Sequence, residues 1–377
     1  MRRLVLLLVL LALIVVNGRI ASEKKTLVPI SDFQENPAFE DNRYGLSDMT
    51  PENAKEKKEK TASQEQESTI ASRPANMLEN SRVEPFIPVA TKPSLPLSEV
   101  NTMARGALVN IICSTRAGGY FNSASGSGIL LNNSGLILTN AHIAQYLLIG
   151  KNYADLFLSC HARLGSPAKG NFGLELVFIP RAWVINNAKK INETKVLESG
   201  ENDFALLKLR DGLPANVNFN PLVLFDEDVF YEDSADVLVA GYPGSGLGGI
   251  LVQTDLNIVS SFGKISKIFT FSSQNNADLL EISGSVLAQG GVSGGAVVDL
   301  SGRLAGMVAT ASENSEKIDE RRVGAITMFH VKSVLSEETG FDLKAVISGK
   351  WPELKALFEK GETDLFNLLK QKVSLEG

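Results

Sequence analysis

Three histidines and two cysteines among 377 residues are the scarcest reactive groups in this chain. That ligand supply nearly excludes a histidine- or cysteine-rich metal site. Aromatic residues are also few, at 7%, whereas glycine is plentiful at 32 residues. This balance suits many short strands joined by tight turns. There is no excess of positive charge: 37 basic against 43 acidic residues leave a net charge of -6. A general nucleic-acid binder needs a basic face, so nucleic acid is not an expected partner. The one long apolar run, Leu4 to Val16, is thirteen residues, short of the roughly 20 that span a bilayer. Behind Arg2 and Arg3 it has the length of a secretory signal's apolar region. Val16-Asn17-Gly18 and Ile20-Ala21-Ser22 offer small-residue spacing for cleavage, neither strongly. Residues 1–20 therefore read as a signal peptide or a short uncleaved membrane anchor. The protein is expected to be exported (periplasmic, cell-envelope or extracellular), touching membrane only through that segment. Cys113 and Cys160 would then meet an oxidising compartment, where a disulfide is allowed; two separate buried thiols fit the sequence equally.

Residues 21–100 hold eight of the fourteen prolines and the charged run Glu52 to Lys60. With no sustained period and few apolar residues, such a segment cannot offset its ordering entropy, and it reads as a disordered linker. An autoinhibitory or partner-binding arm is the alternative. From about Asn101 short apolar runs follow one another: 107–113, 127–131, 136–139, 156–160, 174–179, 204–209, 237–240, 250–254, 263–268, 279–282, 296–299 and 304–309. Glycine, asparagine or proline separates nearly all of them. Many short strands with almost no long amphipathic helix between them predict an all-β barrel or sandwich over residues 101–337. Beyond Glu337 the period changes. Leu354, Leu357 and Phe358, then Leu365, Leu368 and Leu369, recur at helical spacing behind Pro352, which predicts two short amphipathic helices in a 338–377 extension.

Three segments carry the chemistry. Ser127 to His142 reads as two apolar strands around an Asn-Ser-Gly turn, with a histidine just past the second. Asn202-Asp203-Phe204-Ala205-Leu206-Leu207-Lys208-Leu209 sets an aspartate at the mouth of an apolar strand. Gln289-Gly290-Gly291-Val292-Ser293-Gly294-Gly295-Ala296 places a serine in a glycine-dense loop before another strand. A serine hydroxyl is a weak nucleophile until a neighbouring base takes its proton. Imidazole suits that task near neutral pH, and a buried carboxylate fixes its tautomer. Backbone N–H groups must then stabilise the tetrahedral oxyanion, and the amides of Gly291 and Ser293 are placed to do so.

Together the strings Thr-Asn-Ala-His, Asp-Phe-Ala-Leu-Leu-Lys and Gly-Val-Ser-Gly-Gly resemble the motifs of chymotrypsin-like (trypsin-like) serine peptidases, closest to the HtrA/Deg-type branch. Their order, His142, Asp203, Ser293, matches that family as well. The resemblance covers roughly residues 101–337 and implies two six-stranded antiparallel β-barrels with a His-Asp-Ser triad between them. His142 and Asp203 would come from the first barrel and Ser293 from the second. Gly241-Tyr242-Pro243-Gly244 resembles the turn that opens the family's second barrel. It further implies a serine endopeptidase acting on protein or peptide substrates without a cofactor. Leu287, Ala288 and Gln289 would line the specificity pocket, and Val308, Ala309 and Thr310 would form the strand that pairs with substrate. No acid stands among these six, so a small or medium apolar side chain is the expected preference. There are departures from the family pattern. Ala296 replaces the usual proline, and Val292 replaces the aspartate that digestive members use in zymogen activation. About 40 residues after Glu337 leave no room for a PDZ module.

The string Gly291 to Gly295 also fits the G-x-S-x-G elbow of α/β-hydrolases, but that arrangement needs an aspartate and then a histidine after the serine, on alternating strands and helices. A catalytically idle protease fold used as a binding module is the second alternative. His161 and His330 read as structural or surface residues.

Overall fold

The computed structural model describes residues 94–114, 124–152, 158–187, 200–215, 219, 222–224, 234–244, 249–271, 276–287, 292–312 and 322–374. The signal or anchor segment and nearly all of the 21–100 linker lie outside the described residues. So do Ala288, Gln289 and Gly291. No helix among the described residues is long and apolar enough to cross a membrane.

The first element among the described residues is helix α1, Leu97–Gly106, which begins four residues ahead of the boundary expected near Asn101. Six strands then close a first barrel: β1 Leu108–Ser114, β2 Ala124–Leu130, β3 Leu136–Thr139, β4 Ser159–Leu164, β5 Lys169–Phe178 and β6 Ala205–Leu209. Their order around the barrel is β1-β2-β3-β6-β5-β4. After the two-residue β7, Val223–Leu224, come β8 Asp236–Gly241, β9 Val259–Phe269, β10 Leu279–Ser283, β11 Ala296–Asp299, β12 Arg303–Ser312 and β13 Arg322–Thr327. These run β11-β8-β9-β10-β13-β12, and a β11–β12 pairing closes them into a second antiparallel six-stranded barrel, with β7 added parallel to β12. The two-barrel architecture expected from the resemblance is thus the one observed. Since β8 already belongs to the second barrel, Gly241 ends that barrel's first long strand and Tyr242 to Gly244 follow it.

Alternation explains why several strands read as unbroken apolar runs. In β8, Val237 and Val239 fill the second barrel, while Leu238 and Ala240 pack into the core that also fills the first. In β11, Val297 points one way and Ala296 and Val298 the other. A strand buried on both faces loses the polar alternation of an exposed sheet.

Several helices depart from the sequence reading. Ala141–Asn152 forms α2 and Arg181–Asn187 forms α3, neither of them anticipated. The run 250–254, expected as a strand, lies in α4, Gly249–Thr254. Its final carbonyls have no partner within the helix. Buried Arg163 of β4 satisfies them, donating from Nη2 to Val252 O and from Nη1 to Gln253 O, each at 2.8 Å. The C-terminal extension begins with α5, Met328–Thr339, so His330 sits on a helix. It ends in a single helix α6, Trp351–Ser374, in place of two short ones. Leu354, Leu365, Phe366 and Leu369 of α6 are buried in the first barrel's core cluster. Lys151 at the end of α2 holds Glu362 at 2.7 Å and Glu359 at 3.3 Å on α6.

The two cysteines form a disulfide between directly opposed residues of β1 and β4. Its sequence separation of 47 corresponds to about 4 kcal/mol of unfolded-state restriction. Replacing both Cys113 and Cys160 by serine is therefore expected to lower unfolding free energy by about that amount, measured by urea titration. A loss below ~1 kcal/mol would show that native strain or residual unfolded structure cancels the restriction.

Candidate active site

The local topology brings His142 and Asp203 together before any side chain is considered. β3 pairs with β6 in a register that sets Thr139 opposite Ala205. The residues just past the end of β3 therefore lie beside those just before β6. The Asn140 side chain donates from Nδ2 to the Asp203 carbonyl at 2.8 Å. The Asp203 carboxylate, 1% exposed, accepts the His142 backbone N–H on Oδ1 at 2.9 Å. Its Oδ2 lies 2.7 Å from His142 Nδ1. A carboxylate oxygen only accepts, so the proton of the pair sits on Nδ1, and in the neutral ring the lone pair is then on Nε2. The His142 side chain is 30% exposed. The basic nitrogen thus belongs to a partly open ring braced by a closed-off carboxylate.

Ser293 sits in a turn stitched to both barrels. Gly294 N–H donates to Val308 O at 2.8 Å, and Gly295 N–H to Val292 O at 2.8 Å. Val308 N–H returns a bond to Gly295 O at 2.9 Å. From the first barrel, the Ser127 N–H donates to Ser293 O at 2.7 Å. Gly294 has φ +81°, and a Cβ there would stand 1.9 Å from the Ser127 carbonyl oxygen and 3.0 Å from Thr139 Oγ1. The serine turn therefore lies directly against β2 and against the strand end that delivers His142.

Ser127 is the functional residue that the sequence reading passed over. Beyond its bond to Ser293, its carbonyl accepts the Thr139 hydroxyl at 2.8 Å and its Oγ accepts the Tyr242 N–H at 2.9 Å. It ties the histidine-bearing strand, the serine turn and the second barrel into one junction. A signal for it was present: Ser125-Gly126-Ser127-Gly128 is a stretch of β2 without one large side chain, the mark of close backbone approach.

The expected specificity residues separate. Leu287 and Val308 are 0% and 1% exposed and pack in the second-barrel core, so their side chains are core rather than pocket wall. Ala309 is also buried. It falls at a break in the β12–β13 register, between the pairs Val308↔Ala325 and Thr310↔Gly324. Such a bulge bends a strand and re-aims its neighbours. Thr310 continues β12 through that pairing. Val292 is fully buried and contributes to the same core.

Residues 126–307 match the family model described as the trypsin-like peptidase domain. Among solved structures, the chain is similar to the active form of the Rv3671c protease from M. tuberculosis, at 19% identity over 68% of this chain and 93% of that one, TM-score 0.39. It is likewise similar to the inactive form of Rv3671c, at 20% identity over 67% and 98%, TM-score 0.39. A third similar structure is Deg5, at 16% identity over 62% and 89%, TM-score 0.40. No curated protein matches the chain. The matched segment runs from β2 into β12, so it is this two-barrel part of the chain that is similar to the trypsin-like peptidase domain.

Proposed function

We propose that this protein is a serine endopeptidase that cleaves protein substrates outside the cytoplasm through an acyl-enzyme. The observation that carries this reading is the closed-off Asp203 carboxylate 2.7 Å from His142 Nδ1, which orients the ring so that Nε2 is the nitrogen that takes the serine proton. In the first step the Ser293 hydroxyl attacks the scissile carbonyl and its proton passes to Nε2. The resulting imidazolium is stabilised by Asp203. The oxyanion is held by the backbone amides of Gly291 and Ser293, each such donor contributing about 3 kcal/mol. Collapse breaks the C–N bond, and the departing amine takes the proton from Nε2. Water then repeats the sequence on the ester and restores Ser293. Substrate adds as an extended strand beside Ala309 and Thr310, with a small or medium apolar side chain preferred next to the scissile bond. The N-terminal segment directs export or tethers the enzyme to a membrane.

The test is covalent labelling. A fluorophosphonate probe should phosphonylate the folded wild-type chain, with fluoride displaced, and peptide mapping should place the adduct on Ser293 within the 291–295 turn. A folded wild type that takes no label would favour the idle binding module. Cleavage of small esters without cleavage of casein would favour an esterase.

A further inference from the structure

A second histidine–aspartate pair lies outside the proposed triad and touches it indirectly. His330, in the first turn of α5, is 7% exposed. Its ring meets Phe271 edge-on with centroids 5.0 Å apart, and its backbone N–H donates to Thr327 Oγ1 at 3.1 Å. Both ring nitrogens are engaged: Nδ1 is 3.1 Å from Asp278 Oδ1, and Nε2 is 3.0 Å from Asn202 Oδ1. The other Asp278 oxygen, Oδ2, accepts the Phe271 N–H at 2.8 Å and the Thr270 hydroxyl at 3.1 Å. Burial opposes ionisation of Asp278. The hydrogen bonds from His330, Phe271 and Thr270, with the charge of the ring, outweigh it and hold this carboxyl below its ordinary range.

The third member of the chain is what gives the pair a role. Asn202 immediately precedes Asp203 and has φ +58°, a left-handed conformation that asparagine tolerates better than most residues. In this turn the Asp203 N–H donates to Gly200 O at 3.1 Å and the Phe204 N–H to Asn202 O at 2.8 Å. A doubly protonated His330 donates to both Asp278 and Asn202. A neutral ring keeps its proton on Nδ1 and accepts the Asn202 amide once that amide has turned over. In either form the Asn202 side chain is gripped.

We propose that the Asp278–His330 pair is a positioning device for Asp203, fixing Asn202 and through it the carboxylate that holds His142. The pair is anchored where the second barrel ends, since the Thr327 N–H donates to Asp278 O at 3.0 Å and its hydroxyl to Ala277 O at 2.7 Å. Correct closure of the second barrel is thereby transmitted to the acid of the first. The proposal rests on the triad reading, and the experiment below separates the two.

Asn202→Gly keeps the left-handed backbone accessible and removes only the side chain that His330 grips. In the full-length chain it should lower kcat on a peptide substrate roughly 10-fold, as expected for a small misalignment of catalytic groups, with KM nearly unchanged. The low-field proton NMR resonance of the His142 Nδ1–H should shift or broaden at the same time. Ser293→Ala should leave that resonance in place. His330→Gln, which keeps a donor towards Asn202, should stay closer to wild type than His330→Leu in both measurements. Unchanged kcat and an unchanged resonance in Asn202→Gly would overturn the proposal. If Asn202→Gly does not fold, the contrast between His330→Gln and His330→Leu decides it in the same terms. If the wild type takes no fluorophosphonate, the triad reading fails, and the His142 resonance alone decides: a shift in Asn202→Gly supports the positioning role and constancy refutes it.

Discussion

Asp203→Asn is expected to lower kcat on a peptide substrate by about four orders of magnitude while leaving the fold intact. The size of the effect follows from the two bonds that Asp203 makes with one residue. Its Oδ1 accepts the His142 N–H and its Oδ2 faces Nδ1. An amide has one accepting oxygen and one donating nitrogen. If the oxygen stays on the backbone N–H, the amide nitrogen points at Nδ1 and drives the ring proton to Nε2. The base would then present a proton to Ser293 instead of a lone pair, and the imidazolium formed during attack would have no counter-charge. Combining Asp203→Asn with Ser293→Ala should cost little more than Ser293→Ala alone, because residues that act as a unit are not additive. A loss in Asp203→Asn smaller than about tenfold, in a folded chain, would remove Asp203 from the mechanism.

Gly294→Ala is expected to abolish fluorophosphonate labelling and to destabilise the chain by well over the ~1–2 kcal/mol that a left-handed conformation costs an ordinary residue. The methyl group would have to occupy a point 1.9 Å from the Ser127 carbonyl oxygen, backbone that cannot swing aside as a side chain could. Either the serine turn or β2 must move, and both carry bonds to the site. Gly340, the C-cap of α5, supplies the control. Its φ is +74°, close to that of Gly294, and nothing lies within 4 Å of the position a Cβ would take. Gly340→Ala should therefore show the conformational cost alone, about 1 kcal/mol, with labelling intact. Guanidinium denaturation of the two variants, run beside labelling, separates strain from collision. Equal destabilisation in the two would mean that the serine turn is not held against β2.

Sequence and structure agree best where local pattern and tertiary demand coincide. β3 and β11 occupy the residues that their apolar runs predicted, and the His142 and Asp203 motifs lie side by side because each flanks one of a pair of bonded strands. The reading failed where distant partners decide the local structure. Residues 250–254 are as apolar as a strand, yet they form a helix whose last carbonyls are taken by Arg163, some ninety residues earlier in the chain. α2 escaped notice because apolar residues surround it on most sides, blurring the helical stripe. The groups Leu354 to Phe358 and Leu365 to Leu369 read as two helices, but α6 runs unbroken through both, with open space around Gly361 between them. His330 read as an ordinary structural histidine because neither Asp278 nor Asn202 is near it in sequence, and only closure of the second barrel brings all three together. The same holds for Ser127, whose partners come from three separate segments.

The docking of α6 bears on the order in which this molecule matures. Lys151 and Glu362 meet across 211 positions of chain, and the Phe178 ring of β5 packs edge-on against Phe358 at 6.3 Å. The barrel that carries His142 is thus walled by a helix from far along the chain. Until α6 docks, that barrel keeps one apolar flank uncovered, because Leu354, Leu365, Phe366 and Leu369 are part of its core.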